Sequence, residues 1–150
     1  MVKDNPNIPS AAAMQIVAAV IVFSTPVYAA IGVAFVKLGI SDPEPLIPPD
    51  RLSGLGFILI VAGISGAAAS FLVRRLVAPH ILAQDQSIVG RFRVTIIAMA
   101  VAETSGIIGL IYAFLSNSLD VPFVFWGVSL AASIAHFPTR AWLEAGSRNQ

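Results

Sequence analysis

The chain has no cysteine. That absence removes disulfides, thiolate metal sites and cysteine nucleophiles together. Charge is scarce as well: 11% of the 150 residues are Asp, Glu, Lys or Arg, where a soluble domain carries about 25%. The deficit is concentrated in long charge-free runs, which excludes an ordinary soluble fold. No basic stripe interleaved with aromatics is present, so nucleic acid is not an expected partner. The two histidines, His80 and His136, are far apart in sequence and form no metal-ligand pattern. Neither a metal nor a cofactor is expected.

What fills the chain is apolar: 57% of residues are hydrophobic, with a mean hydropathy of +0.84. Ala11 to Val36 carries no charge and exceeds the roughly 30 Å hydrocarbon core at the helical rise. Pro26, after Ser24 and Thr25, removes a backbone hydrogen bond and is expected to kink this helix, with the hydroxyls re-satisfying freed carbonyls. Val27-Tyr28-Ala29 looks like a signal-peptide cleavage site. Against cleavage, Lys3 is the only basic residue ahead of the run, and the run continues past the site.

Pro43, Pro45, Pro48 and Pro49 stand among Asp42, Glu44 and Asp50, which predicts a stiff connector over 37–51. Leu52 to Val73 is a second charge-free run. In it Ala62, Gly66 and Ser70 recur at every fourth position, a small-residue ridge that would let another helix approach closely in lipid. Arg74-Arg75 ends the run, and Pro79 is expected to stop any helix. Arg91 and Arg93 precede the third run, Val94 to Leu115, where Gly106 and Gly109 are the packing positions. Asp120 is the expected N-cap of the fourth run, with Pro122 in its first turn. Pro138 ends that run. Trp126 and Trp142 fit interfacial anchors, as do Tyr28 and Tyr112.

The expected fold is therefore all-α: one polytopic membrane domain of four transmembrane helices, at about 11–36, 52–73, 94–115 and 121–137, in an antiparallel bundle. Seven basic residues (Lys3, Arg74, Arg75, Arg91, Arg93, Arg140, Arg148) fall on one side, and Lys37 and Arg51 on the other. By the positive-inside rule both termini are cytoplasmic. The expected partners are the lipid bilayer and other membrane helices, in a homo-oligomer or a larger complex. The arginine pairs most simply set topology. They could also hold anionic lipid headgroups.

One residue breaks the pattern. Glu103 lies about 14 Å along the third run from Val94, close to mid-membrane. A charge there costs roughly 2.5–3.5 kcal/mol on insertion scales. No Lys or Arg reaches that depth, and His136 is too shallow by roughly 10 Å. The hydroxyls of Ser129, Ser65 and Ser133 are the candidate partners. Without a cation the neutral carboxyl is favoured, and a neutral carboxyl can donate, accept, or exchange a proton for a small cation.

The segment Ala100-Val101-Ala102-Glu103-Thr104-Ser105-Gly106-Ile107-Ile108-Gly109-Leu110-Ile111-Tyr112-Ala113-Phe114-Leu115 resembles the second helix of ATP synthase subunit c. That helix carries an ion-binding carboxylate in an Ala-x-x-Glu…Gly-Leu…Ala-Phe-Leu type of pattern. The resemblance extends over about 52–115, including the small-residue first helix and an arginine-containing loop. It implies that Glu103 binds a proton or sodium ion. The loop holds Arg74-Arg75 and Pro79 in place of that family's Arg-Gln-Pro, and two further helices flank the hairpin. The chain also resembles small four-helix bacterial inner-membrane proteins of unknown function. Two functions stay open: ion binding at Glu103 within an assembly, or a non-catalytic helper in which Glu103 is structural. A transporter or enzyme is the weakest reading, because one acid without a nucleophile–base pair makes no catalytic set.

Overall fold

The computed structural model describes residues 9–39 and 45–145. The described chain is helical: α1 (Ala11–Lys37), α2 (Pro49–Gln84), α3 (Ile88–Ser116), α4 (Asp120–His136) and a short α5 (Arg140–Glu144). Residues 40–44 of the expected 37–51 connector and both chain ends lie outside the described residues, and α2 already begins at Pro49, where a proline suits a first helical turn. α1, α2 and α3 are long and apolar enough to cross a membrane, and α4 is a shorter apolar helix of 17 residues. This is an all-α membrane bundle.

Local chemistry sets the helix starts. The Ser10 hydroxyl accepts from the Ala13 amide at 3.2 Å, and Ser87 accepts from the Val89 and Gly90 amides. Each satisfies donors that a first helical turn leaves unpaired. α3 thus begins six residues before Val94, where the apolar run starts. α2 departs from expectation at its other end. Pro79 lies inside the helix, which continues to Gln84. A proline takes one donor from the residue four positions back. Here that residue is Arg75, exposed and beyond the apolar run, where water can serve its carbonyl. Asp120 is the first residue of α4 rather than its cap. Asn117 turns the chain in the left-handed region (φ 49°), which leaves Leu119 at the cap position without a side-chain bond. The Asp120 carboxylate still suits the positive end of the helix dipole.

α3 is the inner helix. Half of its apolar stretch is buried, against 17% for α1 and 22% for α2. It packs on α1, α2 and α4, while α4 packs on α1 and, less, on α2. The four long helices thus form a rhombus with α3 and α4 on its short diagonal. Contacts fix the directions. Gly56 meets Tyr112 and Gly66 meets Thr104, so α2 and α3 are antiparallel. Phe35 stacks on Phe114 at 4.5 Å and Ser24 meets Glu103, so α1 and α3 run parallel. One end of the bundle gathers Arg74, Arg91 and Trp142 and is called the arginine end below.

The aromatics of α4 are seated in glycine notches. A Cβ at Gly63 would lie 2.5 Å from the Phe125 ring, and one at Gly32 would lie 2.6 Å from the Trp126 ring. Trp126 is 3% exposed, and its indole N–H donates to the Gly106 carbonyl at 3.2 Å. It is a core residue, not an interfacial anchor.

The ridge of α2 is also rotated from expectation. Its buried residues are Gly56, Gly63, Ala67 and Ser70, whereas Ala62 is exposed and Gly66 half-buried. Steps of four advance about 40° past a full turn each, so Ala62 and Ser70 diverge by about 80°. A straight stripe alternates steps of four and three, as Gly63, Ala67 and Ser70 do.

Candidate functional site

Glu103 stands near the middle of α3, on the side that meets α1. Its partner is Ser24, whose hydroxyl is hydrogen-bonded to the Glu103 carboxyl. Ser24 also lies 2.6 Å from the Ile21 carbonyl, one turn back on α1. Among the described residues Glu103 has no ion pair. The residue is half-buried. Ser24 and Tyr28 border an open apolar groove of about 580 Å³ along α1, together with Ile16, Val20, Phe23 and Val27.

The sequence-predicted partners fall elsewhere. Ser65 is exposed on α2. It lies two residues past Gly63, about 200° around the helix from the packed stripe, which turns it outward. Ser129 is fully buried, one residue off in register: it donates to the Ala102 carbonyl at 3.2 Å and sits 3.3 Å from the Thr25 hydroxyl. It thus tiles the layer beside Glu103 and binds backbone and Thr25. Gly106 makes room for this layer, since a Cβ there would lie 3.0 Å from the Ser129 hydroxyl and 3.3 Å from the Tyr28 ring. Gly109 does the same for Phe125 and Trp126, at 2.8 and 3.0 Å. Tyr28 is thereby packed against mid-α3 and is not an end-of-span aromatic.

Sequence reasoning missed Ser24, and helix register would have found it. Counted from Ile88, the true start of α3, Glu103 lies about 22 Å along the helix. Ser24 lies about 20 Å along α1 from Ala11. Parallel helices starting at one end bring these residues level.

A polar seam continues from Ser129 along α4. Ser129, Ser133 and His136 recur at i, i+4 and i+7 and are all at most 1% exposed. His136 Nε2 is 2.9 Å from the Ser70 hydroxyl, and the imidazole stacks on Phe71 at 4.6 Å. The Ser133 hydroxyl and His136 Nδ1 have no hydrogen-bond partner among the described residues. Among the described residues no group of three or more His, Asp or Glu side chains converges as a metal site.

The fold and site define a helical membrane protein with a half-buried carboxyl at the α1–α3 seam. No protein-family model, curated protein or solved structure matches the chain.

Proposed function

We propose that this is a four-pass bacterial inner-membrane protein, with both termini cytoplasmic, in which Glu103 binds a proton or small cation within a larger membrane assembly. The observation that carries the reading is the Ser24–Glu103 hydrogen bond across the α1–α3 seam, with no cation among the described residues paired to the carboxyl. Such a carboxyl is stable in lipid when neutral, and a hydroxyl beside it can serve either protonation state. The half-buried position leaves it reachable from the side of the bundle, where a second membrane subunit would approach. The resemblance of 100–115 to the ion-binding helix of ATP synthase subunit c supports the same role. The basic residues at the arginine end support the orientation.

A second reading draws on the same bond. Only 17% of the apolar stretch of α1 is buried, so the Ser24–Glu103 bond adds to a short set of contacts that hold it, with Thr25–Ser129, the Gly32–Trp126 notch and Phe35–Phe114. Glu103 would then be a register lock in a membrane helper or scaffold.

The test is labelling by an apolar carbodiimide, which attacks protonated intramembrane carboxyls, together with purification in mild detergent. The ion-binding reading expects Glu103 to be labelled, more slowly as pH rises, with a partner subunit co-purifying. Absence of labelling, with Glu103→Gln leaving every assembly and ion-linked phenotype unchanged, would establish the structural reading in its place.

A further inference from the structure

Three helices place arginines at the arginine end, and they are not equivalent. Arg140 pairs with Glu144 at 2.6 Å, and Arg93 meets Asp85 at 3.9 Å. Arg75 is exposed on α2. Arg74 and Arg91 differ from all three. Both are half-buried, and both guanidinium groups lie over the Trp142 ring, at 5.3 and 4.8 Å from its centroid. Among the described residues neither has a carboxylate partner, and Arg74 hydrogen-bonds the Ala135 carbonyl, at 3.4 Å.

The clamp is built by three elements. α2 supplies Arg74, α3 supplies Arg91, and α5 brings Trp142. α5 is held by its fully buried Leu143 and by the Thr139 hydroxyl, which accepts from the Trp142 amide. The preceding Pro138 carbonyl accepts from the Gln15 side chain at 3.1 Å, which ties this corner to α1. Stacking on an indole orients a guanidinium without consuming its terminal N–H groups. Two like charges sharing one ring, drawn partly out of water and with no acid paired to them among the described residues, form a pre-oriented positive site. A tetrahedral dianion or monoanion with oxygen acceptors fits two planar forks, as in bidentate guanidinium–phosphate pairing.

We propose that Arg74 and Arg91, stacked on Trp142, bind a phosphate group at the arginine end of the bundle. The phosphate comes from an anionic lipid headgroup or from a soluble phosphate, and the two sources are separable. The inference is independent of Glu103.

The test uses full-length protein in mild detergent, with retained ligand read by native mass spectrometry. Short-chain phosphatidylglycerol, short-chain phosphatidylcholine and inorganic phosphate are the probes. The wild type should retain phosphatidylglycerol well above phosphatidylcholine. Arg74→Gln and Arg91→Gln should each lower retention about tenfold, the worth of a charge-assisted hydrogen bond. Arg75→Gln and Arg93→Gln should leave it within about twofold, since screened surface charges contribute little. Displacement of the lipid by millimolar inorganic phosphate would assign the site to soluble phosphates, and resistance to it would assign the site to lipid. If the glutamine variants do not fold, Arg74→Lys and Arg91→Lys keep the charge but lose the fork, and each should still weaken retention several-fold. Equal losses in all four arginine variants would reduce the site to diffuse charge and overturn the proposal. Equal retention of the two lipids, or retention of no probe, would overturn it too.

Discussion

The Phe125 ring of α4 occupies the space that any side chain on Gly63 of α2 would need: the nearest ring carbon lies 2.5 Å from where a Cβ would stand. At Gly66, one turn minus a residue further on, the nearest atom is the Thr104 Cβ at 3.5 Å, an ordinary contact. The two glycines should therefore respond oppositely to alanine. Gly63→Ala should destabilise the bundle by about 1–3 kcal/mol, because a ring packed on two sides cannot withdraw cheaply. Gly66→Ala should be neutral or stabilising by up to about 1 kcal/mol, through helix propensity. Thermal unfolding in detergent reads both. Equal melting temperatures would place Phe125 elsewhere.

The contrast shows what was legible in the chain. The apolar runs read directly as helices, because a charge-free stretch longer than the hydrocarbon core has one stable form in lipid. Which face each helix buries was not legible. Lipid-facing and helix-facing positions are equally apolar here, so Ala62 and Gly63 look alike until Phe125 selects one. Ser24 was hidden for another reason. Its neighbour Pro26 offered a sufficient local use for a hydroxyl, and the start of α3 was set by the Ser87 cap rather than by the first apolar residue. The unusual position of Glu103 was legible because carboxylates in such runs are rare.

Topology gives the second prediction. Residues introduced as cysteine at Gln86, in the α2–α3 link, should be labelled from the cytoplasmic side, and those at Ser41, which lies outside the described residues, from the opposite side. Since the native chain has no cysteine, each label reports one site. Labelling of Ser41→Cys from the cytoplasm alone would invert or break the four-pass arrangement.

The α2–α3 link also carries a pH dependence. Bonds from the Ser87 hydroxyl and amide, aided by Arg93, hold the Asp85 carboxyl below its usual 3.8. A carboxyl whose value is depressed in the folded state adds stability above its unfolded value, and that stability is lost as pH falls through the folded value. Asp85→Asn should therefore be less stable than the wild type from about pH 5 upward. The difference should narrow below about 3.8 and vanish below the folded value. Melting curves across pH 2 to 7 (conditions of the assay) would check this. A gap independent of pH would mean that Asp85 acts through geometry, not charge.

The buried Ser70–His136 contact predicts asymmetric substitutions. Ser70→Ala removes the one hydrogen-bond partner that the imidazole has among the described residues, where its Nδ1 has none. It should cost about 1–3 kcal/mol, the penalty of an unsatisfied buried polar group. His136→Phe should cost less than that, because the ring already stacks on Phe71 and the Ser70 hydroxyl keeps its 2.6 Å bond to the Ala67 carbonyl. A reversed order in unfolding experiments would show that the imidazole, and not the serine, anchors the seam.

The last prediction concerns how α1 is held. Ser24 and Glu103 are hydrogen-bonded across two parallel helices, and α1 otherwise buries only a narrow stripe at Met14, Ala18, Thr25 and Gly32. Ser24→Ala leaves the carboxyl without its partner. Glu103→Gln keeps a donor and an acceptor at the same place but cannot exchange a proton. The amide should therefore fold nearly as well as the wild type, whereas Ser24→Ala should lose about 0.6–2 kcal/mol, the range for hydrogen bonds between membrane helices. Removing both groups, as Ser24→Ala with Glu103→Leu, should cost less than the sum of the single changes, because an apolar pair leaves nothing unsatisfied. A double-mutant cycle on detergent unfolding measures the coupling. Infrared spectra of the same proteins separate stability from protonation. The carboxyl band of a neutral Glu103 at pH 7 should be absent from Glu103→Gln and shifted in Ser24→Ala, whose carboxyl has lost its hydrogen bond. A coupling near zero together with an unshifted band would mean that the two groups do not interact in the membrane, and α1 would need another anchor on α3.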